Sequence, residues 1–315
     1  MNKIKYFISH HPYDPKYWEL MNDMVDGVLI SHKNLHTKLG NPTQLLRQMK
    51  ESKSVRYPLS IDSHTPVIID SGAYQFVHPQ CRKLTVTCKD VFDTYKAINA
   101  EKGVHLDWPV LETLNYYWKR KRLNVTEENA KEFIELNDGN DLTIIGAVQG
   151  YGNNGKYRGY GKMAERFINW GYEEIGIGGL AQLARGKQKE VFLRIMDVIK
   201  VLREYGDISF HVFGIGSTGL LTRIAEEYPH FSFDNATPTF SAIKREILFF
   251  DGVYKRYKIG KKKDNAEARK LLEACECYAC KKYGLEIMKM GRRELNVARM
   301  IHNYYHYYRY IRSSL

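Results

Sequence analysis

The sequence predicts an α/β protein, an eight-stranded parallel (β/α)8 TIM barrel followed by a C-terminal zinc-binding appendage. Three observations carry this. About eight short apolar segments recur between residues 4 and 234, nearly all separated by a helical stretch, which is the alternation of parallel βα units. Polar residues collect where those segments end, as they do at the C-terminal mouth of a barrel. Beyond about residue 251 the alternation gives way to a Lys-rich stretch, a cysteine cluster and a Tyr-rich helix. Residues 1–250 are therefore expected to form the barrel domain. Residues 251–315 should form a zinc-binding subdomain whose last helix completes the barrel.

Each element has a local reason. Ile4-Lys5-Tyr6-Phe7-Ile8-Ser9 reads as the first strand and breaks at His10-His11-Pro12, with a helix from about Pro15 to Met24. Gly27–His32 is the second strand, and Asn41-Pro42-Thr43 opens the next helix. Pro66-Val67-Ile68-Ile69 runs straight into Asp70, and a helix follows from about Thr87 to Ala100. Val104–Pro109 again places an Asp, Asp107, at a strand end. A helix over about 126–136 takes Thr126 as its N-cap and Asn137-Asp138-Gly139 as its stop. Leu142–Val148 is the most uniformly apolar strand and ends in Gln149-Gly150. Residues 151–160, rich in Gly, Asn and Tyr, read as a loop, and a helix then runs to about Trp170. Glu174–Ile177 and Ser209–Phe213 are strands on either side of a long helix over about 187–204. Phe231-Ser232-Phe233-Asp234 ends the series, because Asn235, Thr237 and Pro238 stop the strand just after the carboxylate. A helix over about 265–275 belongs to the appendage.

The balance of charge narrows the partner. With 48 Lys+Arg against 36 Asp+Glu, the net charge is +12, which favours a polyanion such as nucleic acid. No apolar run approaches the ~20 residues that span a bilayer, and the N-terminus has no apolar signal core, so no membrane association and a cytoplasmic location are expected. Five cysteines, three of them in Cys275-Glu276-Cys277-Tyr278-Ala279-Cys280, point to metal ligation and not to a disulfide framework. Cys81 and Cys88 read as ordinary small residues. Three thiolates need a fourth ligand to close a tetrahedral Zn2+ shell; His302 is the choice and His306, one turn on, the competitor. Four protein ligands leave no open position, so this zinc is structural. His10, His11, Asp14 and His32 show no metal-site spacing and read as strand-end residues.

Two carboxylates that each end a barrel strand, Asp70 and Asp234, form a pair able to divide the roles of nucleophile and acid/base. Gly178-Gly179 after the sixth strand allow a close approach of backbone N–H groups to a ligand. Gly214-Ile215-Gly216 is too short for a dinucleotide fingerprint.

Taken together the motifs resemble the tRNA-guanine transglycosylase superfamily. Asp70-Ser71-Gly72-Ala73-Tyr74-Gln75 is similar to its Asp-Ser-Gly-Gly-Phe-Gln, Ala147-Val148-Gln149-Gly150 to its Val-Gln-Gly, and Gly178-Gly179-Leu180-Ala181 to its Gly-Gly-Leu segment. Phe213-Gly214-Ile215-Gly216 stands where the family has Met-Gly-Val-Gly. Phe233–Thr239 resembles Phe-Asp-Cys-x-x-Pro-Thr, and Cys275, Cys277, Cys280 with His302-Asn303 resemble its zinc motif. The match runs in order from about residue 66 to 312.

That resemblance implies exchange of guanine in a nucleic acid for a free 7-deazaguanine base such as 7-cyano-7-deazaguanine, by a pentosyltransferase. Asp234 would attack C1′ to give a covalent glycosyl-enzyme, and Asp70 would move the proton between leaving and entering bases. Asp107 would read the N1–H and amino edge of the base. Gln149 and the backbone of Gly179, beside Gly178 and Ser71, would hold O6; Leu180 would line the pocket near the 7-substituent; Tyr74 and Phe213 would sandwich the ring. A homodimer is compatible with the family. Phe240 in place of the Arg that follows Pro-Thr, Asn235 in place of Cys, 21 residues between Cys280 and His302, an unfamiliar first sixty residues and the lack of a C-terminal RNA-binding domain favour the DNA-acting branch. The alternatives are a tRNA-guanine transglycosylase acting on an RNA loop and a non-catalytic nucleic-acid-binding subunit.

Overall fold

The computed structural model describes residues 4–21, 24–153, 156–184, 186–206, 208–260, 265–289 and 291–315. It divides into two compact units, Met1–Pro12 with Gly27–Asn235, and Tyr13–Asp26 with Ala236–Leu315.

In chain order the elements are β1 (Lys5–His10), a short α1 (Tyr17–Leu20), β2 (Gly27–Ser31), α2 (Gln44–Ser52), β3 (Val67–Asp70), α3 (Cys88–Ala97), β4 (Lys102–Val104), α4 (Tyr116–Leu136) and β5 (Thr143–Val148). A hairpin of β6 (Tyr151–Asn153) and β7 (Lys156–Arg158) precedes α5 (Tyr160–Asn169), β8 (Glu174–Ile177), α6 (Gln188–Tyr205), β9 (Ser209–Val212), α7 (Thr218–Glu227) and β10 (Phe231–Asn235). The second unit continues with α8 (Thr237–Ile243), the antiparallel pair β11 (Glu246–Phe250) and β12 (Tyr254–Lys258), α9 (Ala266–Glu273), α10 (Tyr278–Tyr283) and α11 (Arg293–Ser314).

Eight parallel strands close in the order β1-β10-β9-β8-β5-β4-β3-β2. The chain is a TIM barrel, as its βα alternation predicts. The strands read as apolar runs because a parallel strand is covered on both faces: Val67, Ile68 and Ile69 of β3 are all buried. Inside the barrel Phe7, Leu29, Ile68, Val104, Ile145 and Ala147 pack together, and each large side chain so buried contributes about 1.5–3 kcal/mol. Phe213 packs partly against them, and only a glycine at 176 makes room: a Cβ there would lie 2.4 Å from the Phe213 ring.

Several boundaries differ from expectation. Thr126 is not an N-cap; it lies inside a 21-residue helix capped by Asn115, whose side chain accepts from Trp118 N. Its hydroxyl donates instead to Arg122 O, one turn back, at 2.8 Å. The Tyr-Tyr-Trp-Lys-Arg-Lys-Arg run before Thr126, which carries no apolar periodicity to mark it, forms the first two turns. Asp107 does not close a strand, since β4 ends at Val104. The expected loop 151–160 contains the β6–β7 hairpin, and its residues 154 and 155 lie outside the described residues. Of the first helix, Tyr17–Leu20 is helical and residues 22 and 23 lie outside the described residues. Part of the Lys-rich stretch is β12; residues 261–264 are likewise outside.

The Tyr-rich α11 is packed within the second unit. Tyr304 and Tyr307 are buried, the Tyr304 ring lies 4.5 Å from that of Tyr17, and Tyr308 Oη donates to Asp26 Oδ1 at 3.1 Å beside the Asp26–Arg312 ion pair.

Candidate active site and metal centre

Three carboxylates gather at the C-terminal mouth of the barrel. Asp70 is the last residue of β3, and its Oδ2 accepts from Gly72 N at 3.0 Å, Gly72 turning the chain with a φ of +77°. Burial pushes the Asp70 carboxyl up to about 6, and the negative charge of Asp234 adds to the shift.

Asp107 sits on a loop, and α4 fixes that loop. Asn129 Nδ2 donates to Leu106 O at 2.7 Å, Trp108 N donates to Thr126 Oγ1 at 2.9 Å, and Arg122 donates to Pro109 O at 2.7 Å. The buried Arg122 also reaches Val77 O, His78 O and Cys81 O, so one guanidinium ties the loop after β3 to the loop after β4. The backbone polar groups on both sides of Asp107 are thus satisfied without a strand ladder. Burial pushes the Asp107 carboxyl up to about 7, the charge of Asp70 contributing next, while the Gln149 amide and the Ser71 hydroxyl act in the opposite direction.

Gln149, the first residue beyond β5, is fully buried. Its Nε2 donates to Asp107 Oδ2 at 2.6 Å and its Oε1 accepts from Val110 N at 3.3 Å. The amide lies flat against Gly178-Gly179: a Cβ on Gly178 would come within 2.5 Å of Nε2, and one on Gly179, which has a φ of +74°, within 2.6 Å of Oε1. Leu180 is buried next to them.

Asp234 occupies the penultimate position of β10 and is held from both neighbouring strands. Ser9 Oγ of β1 donates to Oδ2 at 3.2 Å; Gly214 N, just past β9, donates to Oδ1 at 3.0 Å; His211 Nε2 of β9 is 3.3 Å from Oδ1. Because the carboxylate only accepts, Nε2 carries the proton, and Nδ1 faces Ser232 Oγ at 2.8 Å. Ser232 and Asp234 point the same way along β10, so the imidazole sits between them.

Of the sequence-predicted residues, Asp70, Ser71, Asp107, Gln149, Gly178 and Gly179 form one connected group, and Asp234 couples to it through Asp70. Phe213 packs tilted against His211 at 4.4 Å between centroids and against the core, while Tyr74 is exposed with its hydroxyl 3.4 Å from Gln182 Nε2. Ser9, His211 and Arg122 were not expected. The signal for the first two was present: each is a polar residue next to the last position of its strand, on strands that flank Asp234. Arg122 carried none, being one cation in a run of four.

In the second unit, Cys275, Cys277, Cys280 and His302 bring their ligand atoms within 4.8 Å of one another. Cys277 caps α10 through Sγ and Cys280 lies on that helix, so the cysteines span a loop and a helical turn and not a single loop. His302 Nδ1 is 3.7, 3.5 and 3.2 Å from the three sulfurs. Its Nε2 donates to Leu248 O at 2.9 Å, leaving the Nδ1 lone pair free for a metal. His306 is arranged oppositely: Nδ1 accepts from Phe250 N at 3.1 Å, so Nε2 carries the proton and lies 3.2 Å from Cys275 Sγ. Hydrogen bonds from Cys277 and Cys280 hold the Cys275 thiol far below its usual range. The donor set suits a soft divalent ion, and His302 rather than His306 completes it. Among the described residues, His10, His11, Asp14 and His32 belong to no such group.

A closed β/α barrel with a coupled acidic mouth, together with a Cys3His cluster, defines the class of protein. Residues 18–314 match the model of the queuine tRNA-ribosyltransferase family, and the chain belongs to that family. Over 244 residues, 69% of the chain, it is 27% identical to the queuine tRNA-ribosyltransferase of Marinobacter nauticus, and it spans 60% of that protein's length. No helix among the described residues is long and apolar enough to cross a membrane.

Proposed function

We propose that the protein is a base-exchange transglycosylase that replaces guanine in a nucleic acid with a free 7-deazaguanine. The observation that carries this is the three-carboxylate mouth, in which Asp70 and Asp107 are pushed up while Asp234 is gripped by three donors. A carboxylate held by donors and aimed from a strand end suits attack on C1′ through an oxocarbenium-like transition state, giving a covalent bond from Asp234 to the sugar as guanine leaves. A carboxyl with a pKa near 6 suits Asp70 to protonate the leaving base and to take the proton from the entering one. Asp107 and Gln149 present acceptor and amide groups to the edge of the base, the Gly179 backbone lies beside them, and Leu180 borders the 7-substituent. Tyr74 and Phe213 would flank the ring. Residues 1–250 serve as the catalytic part and residues 251–315 as the metal-binding part. Zinc on Cys275, Cys277, Cys280 and His302 would supply no chemistry, only a cross-link of α10 to α11.

DNA is the favoured substrate, on the ground that the exposed Phe240 and the buried Asn235 stand where the tRNA enzymes carry Arg and Cys; 7-cyano-7-deazaguanine is the favoured base. A tRNA substrate is the second reading, favoured by the name of the Marinobacter relative. Incorporation of radiolabelled guanine into duplex DNA, single-stranded DNA and bulk tRNA, with 7-cyano-7-deazaguanine as competitor, tests both. Label in DNA alone supports the first reading and label in tRNA alone the second; none in any moves the assignment to a non-catalytic subunit.

A further inference from the structure

Beside the barrel mouth, the start of α4 carries an aromatic and basic surface that neither the site nor the core uses. Tyr116 and Tyr117 are 57% and 63% exposed, neighbouring rings that both face solvent. The half-buried Trp118 lies between cations, with the Arg82 guanidinium 4.5 Å and the Lys121 ammonium 4.9 Å from its ring centroid. Arg120 lies over Tyr116 at 5.8 Å. Arg82, Arg120 and Lys121 form no ion pair among the described residues, whereas neighbouring Lys119 lies 3.5 Å from Glu112, a carboxylate that it shares with Arg194. Exposed positive charge without carboxylates is a polyanion surface, and exposed rings interleaved with it are stacking platforms for bases.

Position makes this surface specific. Arg82 comes from the β3–α3 connection, which begins at Asp70, and α4 follows the loop that carries Asp107. Trp118 packs edge-on against Trp108, the residue after Asp107, at 6.3 Å, and Tyr116 packs edge-on against Tyr151, two residues after Gln149, at 6.4 Å. A nucleotide whose base docks against the hydrogen-bonded Asp107–Gln149 pair would leave its flanking backbone next to these rings.

The structure assigns Tyr116, Tyr117, Trp118, Arg82, Arg120 and Lys121 as the docking surface for the unpaired polynucleotide strand that flanks the target nucleotide. This rests on the nucleic-acid reading of the acidic mouth. Flanking bases stack on Tyr116 and Tyr117, while Arg82, Arg120 and Lys121 take the phosphates.

The test is fluorescence anisotropy of a fluorescein-labelled single-stranded oligonucleotide with one guanine, in DNA and RNA forms, titrated with the full chain over a range of salt. Tyr116→Ala/Tyr117→Ala should weaken binding about tenfold or more, as loss of stacking does. Arg82→Gln/Lys121→Gln should lower the salt slope by about one to two units. Both variants should bind free guanine like the wild type, which shows that the pocket is intact. Tyr57→Ala, at a still more exposed tyrosine in the connection before β3 and so at the other end of the barrel, should bind the oligonucleotide unchanged. Equal oligonucleotide binding by wild type and both double variants would overturn this surface and leave the acidic-mouth reading standing. A wild type that binds neither oligonucleotide would overturn the nucleic-acid reading and the surface with it.

Discussion

His211 Nε2 stands 3.3 Å from Asp234 Oδ1, with Ser232 Oγ 2.8 Å behind the other ring nitrogen, so the carboxylate proposed as nucleophile is oriented by a buried imidazole on the neighbouring strand. Replacing it removes one donor to a charged acceptor, worth about 1.5–3 kcal/mol. His211→Phe, which fills the same space beside Phe7 and Phe213, should lower kcat for base exchange roughly 10- to 100-fold. The KM for the free base should not change, because His211 touches neither Asp107 nor Gln149. Unchanged kcat would show that Ser9 and Gly214 suffice to hold the carboxylate.

Asp234→Asn tests the covalent step. The amide keeps the volume; its oxygen can still accept from Gly214 N while its NH2 donates to Ser9 Oγ, a hydroxyl that can accept, so the fold should persist and thermal unfolding should shift little. Exchange should fall by at least about a thousandfold, as for loss of a nucleophile. Trapping of a denaturation-stable protein–oligonucleotide adduct should disappear with it. Retained exchange would exclude a glycosyl-enzyme on Asp234.

Much of this was legible in the sequence because it rests on short-range pattern. Apolar runs broken by Asp, Gln-Gly and Gly-Gly gave the strands and their mouths, since a parallel strand must be apolar on both faces and its ligand-facing end must not be. What escaped depends on distant partners. The start of α4 has no apolar stripe, because Arg122 and Thr126 face inward to bond the loop carrying Asp107, a use of buried polarity that no local propensity reports. The sequence favours His302 over His306 but not the reason, which lies in Leu248 O accepting from one ring and Phe250 N donating to the other, on a strand more than fifty residues earlier.

Asp70 and Asp107 are both pushed up from about 3.8, to about 6 and about 7, chiefly by burial. Between about pH 4 and 7 the native protein therefore holds protons that the unfolded chain has released. Their contribution to stability is fully present below about pH 4 and lost as pH rises through that window. Asn is neutral throughout, so Asp70→Asn/Asp107→Asn should gain stability relative to wild type between pH 5 and 8, on the order of 4 kcal/mol. Urea denaturation at both pH values measures it; a wild type that gains on the double variant as pH rises would reverse the assigned shifts. In binding experiments, free guanine should bind wild type more weakly below about pH 7, where Asp107 no longer presents a full carboxylate.

Gly179 has a φ of +74°, and a Cβ there would approach Gln149 Oε1 to 2.6 Å. Gly179→Ala pays the left-handed penalty of about 1–2 kcal/mol and pushes the amide off Asp107. Affinity for the free base should fall roughly tenfold or more, since a buried hydrogen bond to a charged group is lost with it. Gly139→Ala, also at a positive φ of +70° but with nothing near its Cβ, is the matched control and should bind normally.

The histidine pair makes the metal assignment testable ligand by ligand. His302 turns a free Nδ1 toward Cys275, Cys277 and Cys280 because its Nε2–H donates to Leu248 O, whereas His306 has already committed its Nδ1 to Phe250 N. His302→Ala should therefore lose the metal, with zinc per chain falling from about one to near zero on elemental analysis, as should Cys280→Ser. His306→Ala should keep it. A chelator that strips wild type should expose residues 236–315 to proteolysis, because a structural ion's binding energy is folding energy for the segment that it ties. Full zinc in His302→Ala and none in His306→Ala would mean that the ring closing the shell is the one farther along α11.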